Sequence, residues 1–111
     1  MNTLELAKKY LNIFFITHDF ESLDTIFDQE LDFSGPFFES KNLKVYMDSL
    51  VNDPPDNCQY ELVEEYDNGE SACLVYHFTK AKKSTLMSQL FWSDGGKIIK
   101  IRLIFDPTKI T

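Results

Sequence analysis

The sequence contains few side chains whose type and position suit acid–base chemistry, and His77 is the first candidate. It lies between Tyr76 and Phe78 in an apolar run, where a histidine could serve as a general base near neutral pH. In a β-strand, however, Leu74, Tyr76 and Phe78 would share one face at a period of two residues, so the pattern favours an outward-pointing His77. The other histidine, His18, ends a predicted helix, where a cation stabilises the helix dipole.

Two groups of acidic side chains are candidates for binding a divalent cation. They are Glu61, Glu64, Glu65 and Asp67 in one stretch and Asp28, Glu30 and Asp32 in another. Carboxylates at alternate strand positions share a face, but no histidine or cysteine lies at ligand spacing beside them, so a solvated surface is the favoured interpretation. The sequence also lacks a glycine-rich phosphate loop, a paired-carboxylate motif and a nucleophile elbow. We therefore expect neither a metal site nor a cofactor.

The charge of the chain argues against two classes of partner. The 11 basic and 18 acidic side chains give a formal net charge of −7, and Arg102 is the only arginine. Nucleic-acid backbones and anionic membrane surfaces both require a cationic protein surface, so neither is an expected partner. No apolar run approaches the ~20 residues of a membrane span. The first residues, with Glu5 and no basic segment before an apolar one, do not resemble a signal peptide, so we expect a cytoplasmic protein.

Three helices are predicted in the first half of the chain, where apolar residues recur at helical spacing after residues that commonly cap helices. The predicted helices span about residues 3–17, capped by Asn2 together with Glu5, a short segment after Asp19, and about residues 41–52, capped by Ser40. A short strand over residues 31–33 is predicted to end at the Gly35-Pro36 turn.

After Pro55 the period of the apolar residues changes from that of a helix to that of a strand. Four strands are expected, at about residues 58–66, 71–80, 84–93 and 96–106. Asn68-Gly69 and Asp94-Gly95 supply residues that tolerate a positive φ in tight hairpin turns. Helices followed by strands, without an internal linker or repeat, predict a single α+β domain over residues 1–111, with the helices packed on one face of a mostly antiparallel sheet.

This order of elements resembles the cone-shaped α+β fold of nuclear transport factor 2, the ketosteroid isomerases and the SnoaL-like polyketide cyclases. The resemblance covers nearly the whole chain and is carried by two stretches, from Asp19 to Pro36 and from Gly95 to Phe105. It implies a curved, mixed, mostly antiparallel sheet packed against three N-terminal helices. It implies little about function, because the same fold serves isomerases, dehydratases, hydrolases, cyclases and non-catalytic binding domains.

Ketosteroid isomerase chemistry provides a test of the resemblance at single residues. It uses a carboxylate base just before the proline, a tyrosine on the first helix and a buried protonated carboxyl on the penultimate strand. Aligned without gaps, these positions hold Gly35, Leu11 and Ser88. Tyr10 neighbours the helix position but points about 100° away from it on a regular helix. The resemblance therefore implies that catalysis of the ketosteroid isomerase type is absent.

The resemblance also implies which residues of the last two strands face the interior of the cone. It turns Ser88, Leu90 and Trp92 inward, together with Ile99, Ile101, Leu103 and Phe105. The opposite face would then carry Met87, Gln89, Phe91, Lys100, Arg102 and Ile104, a mixture too apolar to be merely solvated. Proteins of this fold commonly dimerise through that face, so we expect a homodimer, with a monomer bearing scattered apolar residues as the alternative.

The predicted pocket in the cone is mostly apolar with a few polar groups, as is typical of small-molecule sites. Its expected lining is Leu11, Phe14, Phe33, Tyr46, Tyr76, Ser88, Trp92 and Phe105. The leading hypothesis is a SnoaL-like domain that binds a small, largely apolar molecule, and a cone filled by its own rings is the structural alternative. The functional alternatives are a lyase, isomerase or cyclase that uses Ser88, Tyr76 or His77, and a non-catalytic dimeric interaction module.

Overall fold

The computed structural model describes residues 1–111, and its elements follow the predicted order of helices before strands. Two helices of 10 residues, α1 (Thr3–Asn12) and α2 (Leu43–Asn52), are accompanied by a π-helical turn at Ile13–Thr17 and by 3₁₀ helices at Phe20–Thr25 and Pro107–Lys109. The strands are β1 (Phe27–Ser34), β2 (Glu39–Ser40), β3 (Cys58–Asp67), β4 (Ser71–Lys80), β5 (Lys83–Asp94) and β6 (Lys97–Ile104). None of these helices has the length and apolarity that spanning a bilayer requires.

The six strands form one mixed sheet in the order β2-β1-β6-β5-β4-β3. Strands β1 and β6 run parallel, and every other neighbouring pair is antiparallel. The helices cover one face of the sheet, and 21 buried residues form a hydrophobic core cluster between the two layers. The predicted α+β class, with three N-terminal helices against a curved and mostly antiparallel sheet, is confirmed.

The first helix keeps its predicted start but changes geometry near its end. Oδ1 of Asn2 accepts the amide of Glu5 at 2.8 Å, and the Glu5 carboxylate accepts the amide of Asn2 at 3.1 Å, which completes the predicted capping box. Beyond α1 the backbone widens into the π-helical turn, which ends at His18 with a left-handed φ of 57°. Because a π turn contains an extra residue, the adjacent Phe14 and Phe15 both reach the interior of the cone.

The start of α2 differs from the prediction because a short strand precedes the helix. Ser40, the predicted cap, lies in β2 and pairs with Phe33 of β1. The observed cap is Asn42, whose Oδ1 accepts the amide of Val45 at 2.9 Å. The Ser40 hydroxyl is buried without a hydrogen-bond partner. The prediction was wrong because serine and asparagine are both good caps, and a two-residue strand leaves no periodic signal.

The turn between β5 and β6 lies one residue later than the prediction. It consists of Gly95 and Gly96, with φ of 60° and 80°, and Asp94 pairs with Lys97 on either side of it. Two consecutive positive φ values are characteristic of the type I′ turn, which matches the twist of a tight hairpin. Glycine adopts both values without steric cost, which explains the two glycines at this point.

A β-bulge in β6 then shifts the pairing of the hairpin by one residue. Ser93 of β5 pairs with Ile98, whereas the preceding Trp92 pairs with Lys100. Ile99 is therefore the extra residue, and it is left partly exposed at the surface. A shift of one residue exchanges the two faces of a strand, because side chains alternate with a period of two.

Because of the bulge, the side chains of β5 face the opposite sides of the sheet from those expected. Most side chains of β6 face the sides that were expected. Met87, Gln89 and Phe91 are only 4%, 2% and 0% exposed and face the helices. Ser88, Leu90 and Trp92 lie on the outer face, where Lys100, Arg102 and Ile104 were correctly expected. The assignment of Ser88 and Trp92 to the pocket, and of Met87, Gln89 and Phe91 to the dimer face, was therefore wrong.

The side chains of β4 point to the sides of the sheet that the alternation of its apolar residues predicts. Leu74, Tyr76 and Phe78 are buried against the helices, and His77 is exposed on the outer face. The apolar residues at a period of two determine the orientation of the single histidine between them.

Candidate functional site

A cavity of about 710 Å³ lies between the helices and the inner face of the sheet. Of its 22 lining residues 15 are hydrophobic, a size and composition typical of small-molecule sites. Six of the predicted pocket residues lie on its wall: Leu11, Phe14, Phe33, Tyr46, Tyr76 and Phe105. The other two, Ser88 and Trp92, lie on the far side of the sheet, where the Trp92 ring is 4.7 Å from the Lys100 ammonium. A cavity of this volume argues against a cone filled by its own rings.

Four polar side chains meet on the cavity wall, and we call them the buried polar chain: Tyr46 of α2, Tyr10 of α1, Gln89 of β5 and Tyr76 of β4. The hydroxyl oxygens of Tyr10 and Tyr46 are 2.7 Å apart. The Tyr76 hydroxyl donates to Oε1 of Gln89 at 2.6 Å. The two pairs adjoin, because the Gln89 side chain lies close enough to the Tyr10 hydroxyl to affect its pKa. None of the four side chains is more than 3% exposed, so their polar atoms are available mainly to one another and to the cavity.

Burial determines the protonation state of the three phenols. Desolvation raises the pKa of Tyr10 to about 12, although the hydrogen bond with Tyr46 and the nearby Gln89 amide act in the opposite direction. Burial, and then the neighbouring phenols, raise the pKa of Tyr46 and of Tyr76 well above the ordinary value of tyrosine. All three hydroxyls therefore stay protonated at neutral pH and serve as hydrogen-bonding groups, not as general bases.

The charged side chains of the cavity are confined to its rim. Lys80 at the end of β4 and Asp53 after α2 are the only charged residues of the lining, and both are exposed. Phe37, another exposed residue of the lining at 61%, packs edge-on against Phe105 with ring centroids 5.4 Å apart. The deep part of the cavity is therefore uncharged and suits a neutral molecule better than an ion.

The cavity has no carboxylate near its floor. Gly35 lies on the wall just before Pro36, where the ketosteroid isomerase comparison requires a base. A Cβ atom at Gly35 would lie 3.3 Å from the Cβ of Leu103, so a longer side chain would have to displace that residue. Apart from Asp53 at the rim, no lining residue has a carboxyl group. The cavity thus lacks a group to remove a proton from carbon at neutral pH.

Structural comparison finds counterparts that sequence comparison does not. No protein-family model and no curated protein matches the chain. An NTF2-like protein of unknown function from Cytophaga hutchinsonii superposes with a TM-score of 0.82 at 20% identity, over 97% of this chain and 94% of that one. A SnoaL-like polyketide cyclase from Agrobacterium tumefaciens gives 0.77 at 19% identity, over 99% and 96%. An LEH-like epoxide hydrolase from M. tuberculosis gives 0.82 at 14% identity, over 96% and 84%.

Nearly complete coverage at these TM-scores decides the architecture. This chain has the nuclear transport factor 2-like (NTF2-like) fold. The predicted resemblance to NTF2-like, SnoaL-like and ketosteroid isomerase-like proteins is confirmed at the level of the fold. Sequence identities of 20% and below carry no activity from these proteins to this one, because the fold serves unrelated functions.

Two polar residues of this NTF2-like cavity were missed at the sequence level. Tyr10 was expected to point away, yet Tyr10 and Leu11 both line the cavity. Its spacing of four residues from both Leu6 and Phe14 was a usable signal. Gln89, not Ser88, is the polar group that β5 presents to the cavity. No local signal identifies Gln89, because the bulge that turns it inward lies in another strand.

The residues considered for lyase, isomerase or cyclase chemistry are not brought together. His77 is exposed and Ser88 lies on the outer face, so neither can reach a molecule in the cavity. Tyr76 alone lines the cavity, and its raised pKa keeps it protonated. An enzymatic role for the trio is therefore not supported by their positions.

Proposed function

We propose that this NTF2-like domain binds a small, largely apolar molecule in its cavity and does not carry out proton transfer of the ketosteroid isomerase type. The proposal is supported above all by the cavity of about 710 Å³, which is uncharged except at its rim and whose wall is mainly hydrophobic around the buried polar chain. A ligand that buries roughly 250 Å² of apolar surface there gains about 6 kcal/mol before the costs of association. Gly35 in place of a carboxylate, together with three protonated phenols, supports binding without that chemistry.

A thermal-shift screen of uncharged aromatic and terpenoid compounds, followed by calorimetry, tests the proposal. We expect saturable stabilisation by at least one compound, because a ligand that binds only the folded state raises its stability. The variant Met87→Trp fills the cavity from β5 and should abolish binding. Its matched control, Leu86→Trp, places the same ring on the outer face of the same strand and should leave binding intact. The absence of stabilisation by every compound, or equal losses in both variants, would refute the proposal.

We also propose that the domain forms a homodimer through the outer face of its sheet. Val75, Leu86, Leu90, Trp92 and Ile104 lie there without a covering element, and Leu86 and Ile104 are 50% and 58% exposed. An apolar patch of this kind on a sheet favours burial against a partner.

The charges of the outer face favour a second copy of the chain as that partner. Glu61 and Glu64 lie on the outer face of β3, an edge strand, and Lys100 lies on the outer face of β6, three strands away. The guanidinium of Arg102 on β6 is already paired with the Asp32 carboxylate of β1 at 3.1 Å. A twofold axis between β4 and β5 would bring Glu61 and Glu64 of one copy toward Lys100 of the other. A light-scattering mass equal to one chain at high protein concentration would count against the dimer.

A further inference from the structure

The side-chain nitrogen of Gln89 is the one polar atom of the buried polar chain that makes no hydrogen bond in the protein. Oε1 of Gln89 accepts the Tyr76 hydroxyl at 2.6 Å, and the hydroxyl oxygens of Tyr10 and Tyr46 are 2.7 Å apart. Nε2 of the same amide carries two hydrogens and can only donate. Gln89 is 2% exposed, so bulk water does not take the place of a partner for these hydrogens.

This nitrogen borders the cavity. Gln89 lies on the cavity wall and extends from β5. The hydroxyl oxygen of Ser40 is the only side-chain polar atom of the protein that is both completely enclosed and without a partner. Because Nε2 of Gln89 also lacks a partner, it is not completely enclosed, and the open space beside it is the cavity.

The pair formed by Tyr10 and Tyr46 adds a further unused hydrogen in either direction of its hydrogen bond. Either residue can donate to the other, and each arrangement uses one of the two hydroxyl hydrogens. By contrast, every oxygen of the buried polar chain already takes part in a hydrogen bond. Buried N–H groups are left unpaired more rarely than oxygen lone pairs, so the polar part of the wall is best complemented by a hydrogen-bond acceptor.

We propose that the cavity binds an uncharged carbonyl compound, a mainly apolar molecule whose carbonyl oxygen accepts a hydrogen from Nε2 of Gln89. The inference rests on the proposed function and specifies the class of ligand for the same cavity. A carbonyl oxygen suits this place because it accepts hydrogen bonds and brings no hydrogen of its own that would need another partner. A carboxylate does not suit it, because Lys80, the only cation of the lining, is at the rim.

Three bicyclic probes of similar size test the inference by calorimetry: the hydrocarbon indene, the ketone 1-indanone, which can only accept, and indole, whose N–H can only donate. We expect 1-indanone to bind about three- to tenfold more tightly than indene, the effect of one additional buried hydrogen bond. Indole should have no such advantage.

The role of Gln89 is tested in the Tyr76→Phe background, because Gln89→Leu alone would free the Tyr76 hydroxyl to donate to the ketone. Tyr76→Phe should keep the preference for 1-indanone over indene, and the added Gln89→Leu should remove it. The matched control is Gln59→Leu in the same background, because Gln59 is exposed on β3 and does not line the cavity. A preference that persists after Gln89→Leu, or is lost equally in the control, would overturn the inference.

The outcomes for the probes distinguish this inference from the proposed function. Equal affinities, or an advantage of indole as large as that of the ketone, would overturn the inference and leave apolar ligand binding intact. Binding of none of the three would contradict both.

The wild-type protein alone gives an answer if the double variant does not fold. The infrared carbonyl stretch of bound 1-indanone should lie below its frequency in a hydrocarbon solvent. The Nε2 hydrogens of Gln89 should resonate downfield of their positions in the complex with indene. An unchanged carbonyl stretch, or Gln89 amide resonances that do not move, would refute the hydrogen bond.

Discussion

At the scale of single residues, burial determines what the cavity can do. Tyr10, Tyr46 and Tyr76 are deep enough that desolvation raises the pKa of each phenol, and Gln89 contributes a polar group that never ionises. With Gly35 at the wall, these residues supply hydrogen bonds but no base. The residue types alone predicted the missing base, whereas the roles of Tyr10 and Gln89 depend on contacts between distant parts of the chain.

The raised pKa of Tyr10 predicts a loss of stability in alkaline solution. Its pKa is about 12 in the folded protein against 10.0 for a tyrosine in water, so the folded state holds the proton more tightly. The resulting stabilisation is complete below pH 10 and is lost as the pH rises through 12. A shift of this size corresponds to about 3 kcal/mol in the free energy of unfolding. Urea denaturation between pH 8 and pH 12 measures the effect, and an equally steep decline in Tyr10→Phe would contradict it.

At the scale of the elements, the sequence predicts what depends on local periodicity. The capping box of α1 and the facing of β4 both follow from neighbouring residues. Strand β5 has apolar residues on both faces, as the consecutive pairs Leu86-Met87 and Leu90-Phe91 show, so alternation cannot select the buried face. The bulge at Ile99, in the neighbouring strand, makes that selection. A bulge of one residue in β6 leaves no pattern in the sequence of β5, although it determines which face of β5 is buried.

At the scale of a single element, the cap at the start of α2 predicts how two substitutions change the stability of the protein. Asn42→Ala removes the hydrogen bond to the Val45 amide and should lower the free energy of unfolding by about 1 kcal/mol. Ser40→Ala removes a buried hydroxyl that has no partner, so it should leave stability unchanged or raise it. The two variants change adjacent parts of one loop and serve as controls for each other in chemical denaturation. A larger loss from Ser40→Ala than from Asn42→Ala would show that the cap is assigned to the wrong residue.

At the scale of the whole molecule, the sheet separates a cavity on one face from an open surface on the other. The fold was predictable because the change of period after Pro55 and the order of elements are properties of the entire chain. The pocket and dimer-face residues that the sequence misplaces, Ser88, Trp92, Met87, Gln89 and Phe91, all lie on β5. Correcting one strand therefore exchanges residues between the two surfaces without changing the architecture.

The proposed dimer predicts a difference between two surface substitutions. Leu90→Glu places a charge in the middle of the outer face and should convert a dimer into a monomer, because an unpaired charge is costly in an apolar interface. Val51→Glu is the control, since Val51 is exposed on α2, away from that face. Light scattering at matched concentrations gives the mass of each variant. Dissociation by both substitutions, or by neither, would contradict an interface on the outer face.

The central claim, that an apolar molecule enters the cavity, can be tested with the three methionines of the chain. Met87 lines the cavity, Met47 packs against the core outside the lining, and Met1 is exposed. Tetralin has an aromatic ring, which shifts the resonances of nearby nuclei, so its titration into protein with ¹³C-labelled methionine methyl groups reports where it binds. We predict a saturable shift of the Met87 methyl resonance while those of Met47 and Met1 stay in place. An unmoved Met87 resonance at the solubility limit of tetralin, or equal shifts of all three, would contradict the account.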